Sequence, residues 1–150
     1  MATKDIDDVL VELLKTCQPK RIQDRVYHIE QYQNLDTLGY STGIGVYPCI
    51  VYELIEDTPS LELAGDNGFG WATYSVTILA QNSADLRPTA KQLLVMNESK
   101  FNVDLNTQYT NIEWITVTSE IESQFAAAEQ QEKGLKVSTS TVMFHHWRIA

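Results

Sequence analysis

The sequence predicts an α+β domain in which two main helices lie on one face of an antiparallel β-sheet. The chain has 150 residues, which suit a single domain over 1–150 and leave no room for a second full core. Two segments have helical periodicity, and several others have the alternation or β-branched content of strands. The strands follow one another without regular β-α-β order, which favours an antiparallel sheet.

Residues 5–17 are predicted to form the first helix, because their apolar side chains recur at helical spacing. Asp5 can cap the N-terminus, and Asp7 and Asp8 suit the positive end of the helix dipole. Pro19 ends the helix. The apolar stripe consists of Ile6, Val9, Leu10, Leu13, Leu14 and Cys17.

The next part of the chain is predicted to contain three strands and two long loops. A short strand covers 25–29, and residues 30–47, with three glycines and little periodicity, are expected to form a loop. A second strand covers 48–56, turn-forming residues fill 57–70, and residues 71–80 alternate as a third strand. The core-facing side chains of that third strand are predicted to be Ala72, Tyr74, Val76, Ile78 and Ala80.

A second helix and two long strands are predicted to complete the domain. The helix covers 85–96 with Pro88 in its first turn, where the missing N–H costs little. The strands cover 112–123 and 136–149, with one or two helical turns over 126–133 between them. The positions where helical and strand periodicities agree on a buried face form the predicted core: Leu10, Leu13, Leu14, Val51, Tyr74, Val76, Ile78 and Leu93.

The charge and the cysteines exclude several classes of protein. Lys and Arg number 11 and Asp and Glu 20, giving a net charge of −9, which disfavours binding to nucleic acid or to an anionic membrane. Cys17 and Cys49 are too few for a disulfide scaffold or a four-thiolate zinc site, so both are predicted to be buried. The acidic N-terminus lacks the pattern of a signal peptide, so we expect a soluble protein assembled inside a cell.

The sequence contains no convergent set of catalytic or metal-binding residues. His145 and His146 are adjacent in a predicted strand, so their side chains point to opposite faces and cannot share one metal ion. Gly39, Gly43 and Gly45 lack a following Gly-Lys-Ser/Thr and precede a strand, which excludes a phosphate-binding loop of the usual kind. We therefore expect no enzyme activity, no cofactor and no metal.

Two features favour contact with another protein. Hydroxyl side chains recur along three strands, a pattern that fits either a solvated sheet face or an interface: Thr73, Ser75, Thr77, Thr116, Thr118, Ser138, Thr139, Ser140 and Thr141. The two long final strands are also predicted to offer free edges to a neighbouring subunit. The predicted long loops carry apolar side chains that are the candidate interface residues: Tyr32, Leu35, Leu38, Tyr40, Ile44, Leu61, Leu63 and Phe69.

The order of several short motifs resembles a known family. The motifs are Asp-Arg-Val-Tyr at 24–27, Tyr-Pro-Cys-Ile-Val-Tyr-Glu at 47–53, Thr-Pro-Ser-Leu-Glu-Leu-Ala-Gly at 58–65, the alternating strand at 70–78 and Lys-Gly-Leu-Lys-Val-Ser at 133–138. Together they resemble the tail terminator, or tail completion, proteins of long-tailed bacteriophages over about residues 8–149. Order and spacing carry the resemblance, because each motif alone is structural.

The resemblance implies a homohexameric ring that caps the head-proximal end of the tail tube, ends tube growth and joins the tail to the head. The implied partners are further copies of this chain, the tail tube protein and the head–tail connector or neck proteins, with the sheath as a further candidate. The ring would lie in the virion neck after assembly in the host cytoplasm, and the genome DNA would pass through it without specific binding. An acidic lumen suits that passage because it repels DNA.

Other interpretations stay open on the sequence. Another ring of the phage neck, such as a head-closure or connector protein, is the nearest alternative. A small α+β enzyme and a monomeric or dimeric binding module are alternatives from other classes.

Overall fold

A computed structural model describes residues 5–17, 22–37, 48–62, 65–80, 82–120 and 136–147. In these residues the elements are α1 (Ile6–Leu14), β1 (Val26–His28), α2 (Ile29–Thr37), β2 (Cys49–Glu62), β3 (Gly65–Ala80), α3 (Ser83–Val95), α4 (Ser99–Gln108), β4 (Ile112–Glu120) and β5 (Lys136–Trp147). The strands form one sheet in the order β1-β2-β3-β5-β4. The β1–β2 pair is parallel and the other pairs are antiparallel, so the predicted α+β class is confirmed.

Strand β3 is the central strand of the sheet, and its side chains point alternately to the two faces. The five side chains predicted to face the core, from Ala72 to Ala80, are all buried. They point to the side of the sheet that carries α1, α3 and α4, which is called the helix face below. The opposite side, to which Thr73, Ser75 and Thr77 point, is called the open face.

Helix α1 forms as the sequence predicts. The Asp7 backbone N–H donates to Asp5 Oδ1 at 2.9 Å, which satisfies a donor that the first turn leaves free. The apolar stripe packs on the helix face, where Leu10 and Leu14 are fully buried and Leu13 is partly buried. The two predicted helices therefore share one face, as expected.

Helix α2 corrects the expectation of a loop over 30–47. Residues 29–37 are helical, and residues 38–47 lie outside the described part of the chain. The helix lies on the open face, where Tyr32 packs in a small second cluster with Cys49, Val51, Leu79 and Val137. Its sequence is mostly polar, so periodicity alone gives a weak signal, and burial of the Tyr32 ring against the sheet supplies the missing stabilisation.

The predicted loop over 57–70 is also wrong, since most of it extends the β2–β3 hairpin. Leu61 pairs with Asp66 and Glu62 with Gly65. The register shifts between Pro59 and Leu61, an irregularity that tolerates a residue without an N–H. Residues that favour turns are strand residues here because an antiparallel partner satisfies their backbone groups.

Helix α4 was missed because its buried side is partly polar. Its sequence, Ser-Lys-Phe-Asn-Val-Asp-Leu-Asn-Thr-Gln, has a short apolar side of only Phe101 and Leu105, and its buried residues are Asn102 and Leu105. The helical turns predicted over 126–133 lie outside the described residues. The fold therefore has more helices than the two that were predicted.

The predicted core is otherwise confirmed. Of its eight residues, all but Leu13 are buried, and Val51 belongs to the small cluster under α2 and not to the main core. Cys17 and Cys49 are both fully buried, as expected. Burial raises the pKa of each thiol to about 12. The thiolate, which is the reactive form, is therefore scarce at neutral pH.

Candidate protein-interaction surface

Large aromatic side chains from three strands meet on the open face at one end of the sheet. Trp71 and His145 are paired residues of β3 and β5, and His145 is also paired with Trp114 of β4. Phe69 is paired with Trp147 one step further along. These five residues are called the aromatic patch.

Four rings of the aromatic patch contact one another, the fifth residue, Trp114, is the strand partner of His145, and the tryptophans are exposed to solvent. The His145 ring stacks on Trp71 with centroids 4.3 Å apart and on Phe69 with centroids 4.9 Å apart. Trp71, Trp114 and Trp147 are 38%, 41% and 47% exposed, respectively. Contiguous exposed aromatic surface is unusual on a monomer, and aromatic residues are enriched at protein interfaces. Within the described part of the chain, the patch is therefore a surface well suited to bind another protein.

A band of hydroxyl side chains continues from the aromatic patch along the open face. The predicted hydroxyl-rich face is confirmed for β3, β4 and the odd-numbered positions of β5, namely Thr73, Ser75, Thr77, Thr116, Thr118, Thr139 and Thr141. Ser138 and Ser140 are exceptions, because strand alternation turns them to the helix face, where both are buried. Because these hydroxyl side chains are small, none of them projects far from the sheet, and water on this band can be replaced by the surface of a partner protein.

The edge of β4 is not free where the sequence predicted it to be. The Asn97 side chain accepts from Val117 N–H and donates to the Val117 carbonyl, both at 2.6 Å. One turn along, Asn102 Oδ1 accepts from Ile115 N–H at 2.7 Å, and Asn106 donates to the Glu113 carbonyl at 3.1 Å. Three asparagine side chains thus bond to the backbone groups of every second residue along the β4 edge. These groups are not available to a strand of another chain, which blocks strand addition there.

Strand β5 does not offer an edge either. It lies between β3 and β4 in the sheet, so its backbone groups are paired on both sides. The expectation that both final strands present free edges to a neighbour is therefore wrong for β5 and for positions 113–117 of β4. Contacts with a partner through this part of the sheet must use its face.

The asparagine bonds to β4 predict a measurable difference between two alanine variants. Asn102 is buried and also donates to the Met96 carbonyl at 3.1 Å, so Asn102→Ala leaves several buried groups unpaired. We expect the free energy of unfolding to fall by about 2–3 kcal/mol. Asn106→Ala is the matched control, because it removes an exposed bond to the same edge and should cost less than about 1 kcal/mol. Urea unfolding curves of both variants test this, and equal losses would contradict it.

The candidate interface residues from the sequence are only partly placed on a surface. Phe69 lies in the aromatic patch, and its role at an interface stays a prediction. Tyr32, a residue of α2, is buried against the sheet, so its side chain is not available to a partner and that prediction is wrong. The backbones of Leu35 and Leu61 lie in α2 and β2. The remaining candidates lie outside the described residues: Leu38, Tyr40, Ile44 and Leu63.

Sequence reasoning missed the three tryptophans of the aromatic patch. A signal was available for Trp71, because the alternation of 71–80 already turns it away from the core. For Trp114, the register shift between Ile112 and Trp114 hides the alternation of β4. The three tryptophans lie on one face at one end of the sheet because of the order of the strands, which no local pattern encodes.

An acidic pocket lies on the helix face at the same end of the sheet. The cavity has a volume of about 280 Å³, and its wall includes the carboxylates of Asp5, Asp7 and Asp57 together with Tyr74 and His146. The Tyr74 hydroxyl donates to Asp7 Oδ1. Burial, the bond to Asp7 and the neighbouring carboxylate charges raise the pKa of Tyr74 far above its usual range. Tyr74 is therefore a neutral donor beside a negatively charged pocket.

The two adjacent histidines point to opposite faces, as the sequence predicts. His145 Nδ1 lies 3.2 Å from Glu113 Oε2 beside the aromatic patch, whereas His146 Nε2 lies 3.8 Å from Asp57 Oδ1 in the acidic pocket. Within the described ranges, no three His, Cys, Asp or Glu side chains are placed to hold a metal ion. Each helix in the described part of the chain is too short or too polar to span a membrane.

Comparisons with protein-family models and curated proteins do not assign this chain to a family. The chain matches no protein-family model and no curated protein. The resemblance to tail terminators therefore depends on the order of motifs in the sequence.

Proposed function

We propose that this protein is a structural subunit of a phage tail terminator. Six copies would form a ring on the head-proximal end of the tail tube, end tube growth and provide the surface that meets the connector or neck proteins. In this role the protein catalyses no reaction and needs no cofactor. The acidic composition is compatible with it, because a ring of six would carry −54, six times −9, and would repel DNA in its lumen.

The aromatic patch is the observation that supports an assembly role best. Aromatic side chains bury about 150–250 Å² each and dominate interface energetics, so covering three half-exposed tryptophans stabilises a complex substantially. The patch lies on a flat sheet face, next to hydroxyls and beside a strand edge that asparagines block. A subunit or tube protein would therefore pack against the face, with the Trp71, Trp114 and Trp147 rings near the centre of the contact.

The proposal predicts that the aromatic patch is needed for capping. Tubes assembled from the tail tube protein of the same phage should stop growing when the wild-type protein is added, with six copies on one end. Trp71→Ser should weaken this binding by at least about 30-fold, because truncated aromatic residues at interface centres typically cost 2 kcal/mol or more. Tube lengths and the copy number at the tube end, both measured by electron microscopy, report the result.

Val103→Ser provides the matched control for that experiment. Val103 is 59% exposed on α4, on the other side of the sheet, so its replacement also removes exposed apolar surface. Capping by the Val103 variant should equal that of the wild type. Equal capping by both variants would exclude the patch from the contact. A ring of twelve copies on a connector, with no effect on tube length, would favour the alternative neck ring.

A further inference from the structure

The acidic pocket contains a buried acceptor that the described residues leave unsatisfied. His146 is 7% exposed, and its Nε2 has no hydrogen-bond partner among the described residues. The nearest charged oxygen, Oδ1 of Asp57, is 3.8 Å away, which is too far for a hydrogen bond. Buried polar atoms are nearly always paired, so an unpaired one on a residue that lines a cavity indicates a missing partner.

The other ring nitrogen of His146 determines which role Nε2 plays. Nδ1 lies 3.2 Å from the Trp147 carbonyl oxygen, which can only accept a hydrogen bond. The hydrogen of the neutral ring is therefore on Nδ1, and Nε2 is an acceptor. The Asp57 carboxylate is also an acceptor, so it can pair with Nε2 only when the ring is protonated.

The groups around the pocket select the chemistry of its ligand. Asp5 and Asp7 face the pocket from the start of α1, and Asp57 faces it from β2. No Lys or Arg of the described residues lines it. The three carboxylates favour a ligand that is positively charged and donates hydrogen bonds. The cavity of about 280 Å³ is large compared with the roughly 30 Å³ that one water occupies, so a group of several atoms fits.

We propose that the acidic pocket binds a guanidinium group, whose N–H groups donate to His146 Nε2 and to the Asp57 carboxylate. A guanidinium offers five N–H donors in one plane and no acceptor, which complements a wall of acceptors. A metal ion fits less well, because the described residues around the pocket provide no set of three ligands for one. The group can come from a free guanidinium compound or from an arginine side chain of another chain. This inference is independent of the proposed function.

Titration of ¹⁵N-labelled protein with methylguanidinium tests the proposal. The His146 Nε2 resonance should shift in a saturable way, whereas the resonances of His145, on the opposite face, should not. Asp57→Asn should weaken the apparent affinity about tenfold or more, because it removes a charge-assisted acceptor without changing the size of the side chain. Glu113→Gln, which changes a carboxylate next to His145, is the matched control and should leave the affinity unchanged.

Three results would overturn the proposal: no saturable shift at His146, an unchanged affinity in the Asp57 variant, or equal binding of methylammonium. The last result would assign the pocket to any small cation and not to guanidinium. The source of the guanidinium group is determined by measuring the His146 Nε2 shift in samples without added methylguanidinium. If a second copy supplies an arginine, the His146 Nε2 shift depends on protein concentration in the wild type and not in Asp57→Asn. If the source is a free compound, the shift is independent of concentration.

Discussion

Val76→Asp is expected to unfold the domain. Val76 is fully buried in the centre of β3, where it belongs to the main core and is paired with Tyr52 of β2 and Ser140 of β5. An unpaired carboxylate in such a place costs several kcal/mol, or is protonated at a similar cost, and the typical total stability of a domain is only about 5–15 kcal/mol. Far-UV circular dichroism and urea unfolding at neutral pH measure the effect.

Thr77→Asp is the matched control for this prediction. The residue follows Val76 in the same strand, but its side chain points to the open face and is only partly buried. The new carboxylate reaches water there, so the loss should be about 1 kcal/mol, mostly from the poor strand propensity of Asp. A folded Val76→Asp protein as stable as the Thr77 variant would show that the faces of β3 are assigned the wrong way round.

Alkaline pH is expected to destabilise the protein strongly, through its two buried thiols. Burial raises the pKa of Cys17 and of Cys49 from 9.0 to about 12. Between these values the unfolded chain releases the thiol protons while the folded chain keeps them, so stability falls as pH rises. Below pH 9 the contribution is fully present. Between pH 9 and 11 the loss amounts to about 2 kcal/mol for each thiol, or about 4 kcal/mol for both.

The slope of stability against pH separates the thiols from other groups. The free energy of unfolding is measured by urea titration at several pH values from 8 to 11, with a reductant present. In the Cys17→Ala/Cys49→Ala variant the slope between pH 9 and 10 should be clearly smaller than in the wild type, whatever the absolute stability of the variant. A residual slope of the same sign is expected, and it should become steeper above pH 10, because the pKa values of Tyr27, Tyr52, Tyr74 and Tyr109 are also raised. An unchanged slope in the variant would mean that the thiols are not the cause.

The fold class and the inner face of the central strand could be predicted from the sequence. In α1 the spacing from Ile6 to Leu14 marks one buried stripe, and in β3 alternation places Val76 inside and Trp71 outside. Both signals come from neighbours in sequence, since a helix or strand sets the direction of its own side chains. The burial of Cys17 and Cys49 follows from the same kind of local preference.

The candidate sites could not be predicted in the same way, because they depend on contacts between distant residues. Asn102 looks like a surface residue in a polar segment until β4 is placed beside it, and only then are its bonds to Ile115 possible. Trp71 and Trp114 come to lie on either side of His145 only because β5 lies between β3 and β4. His146 and Asp57 are likewise brought together by the register of the sheet. Local periodicity therefore determines which way each side chain points, whereas strand order and register determine what it meets.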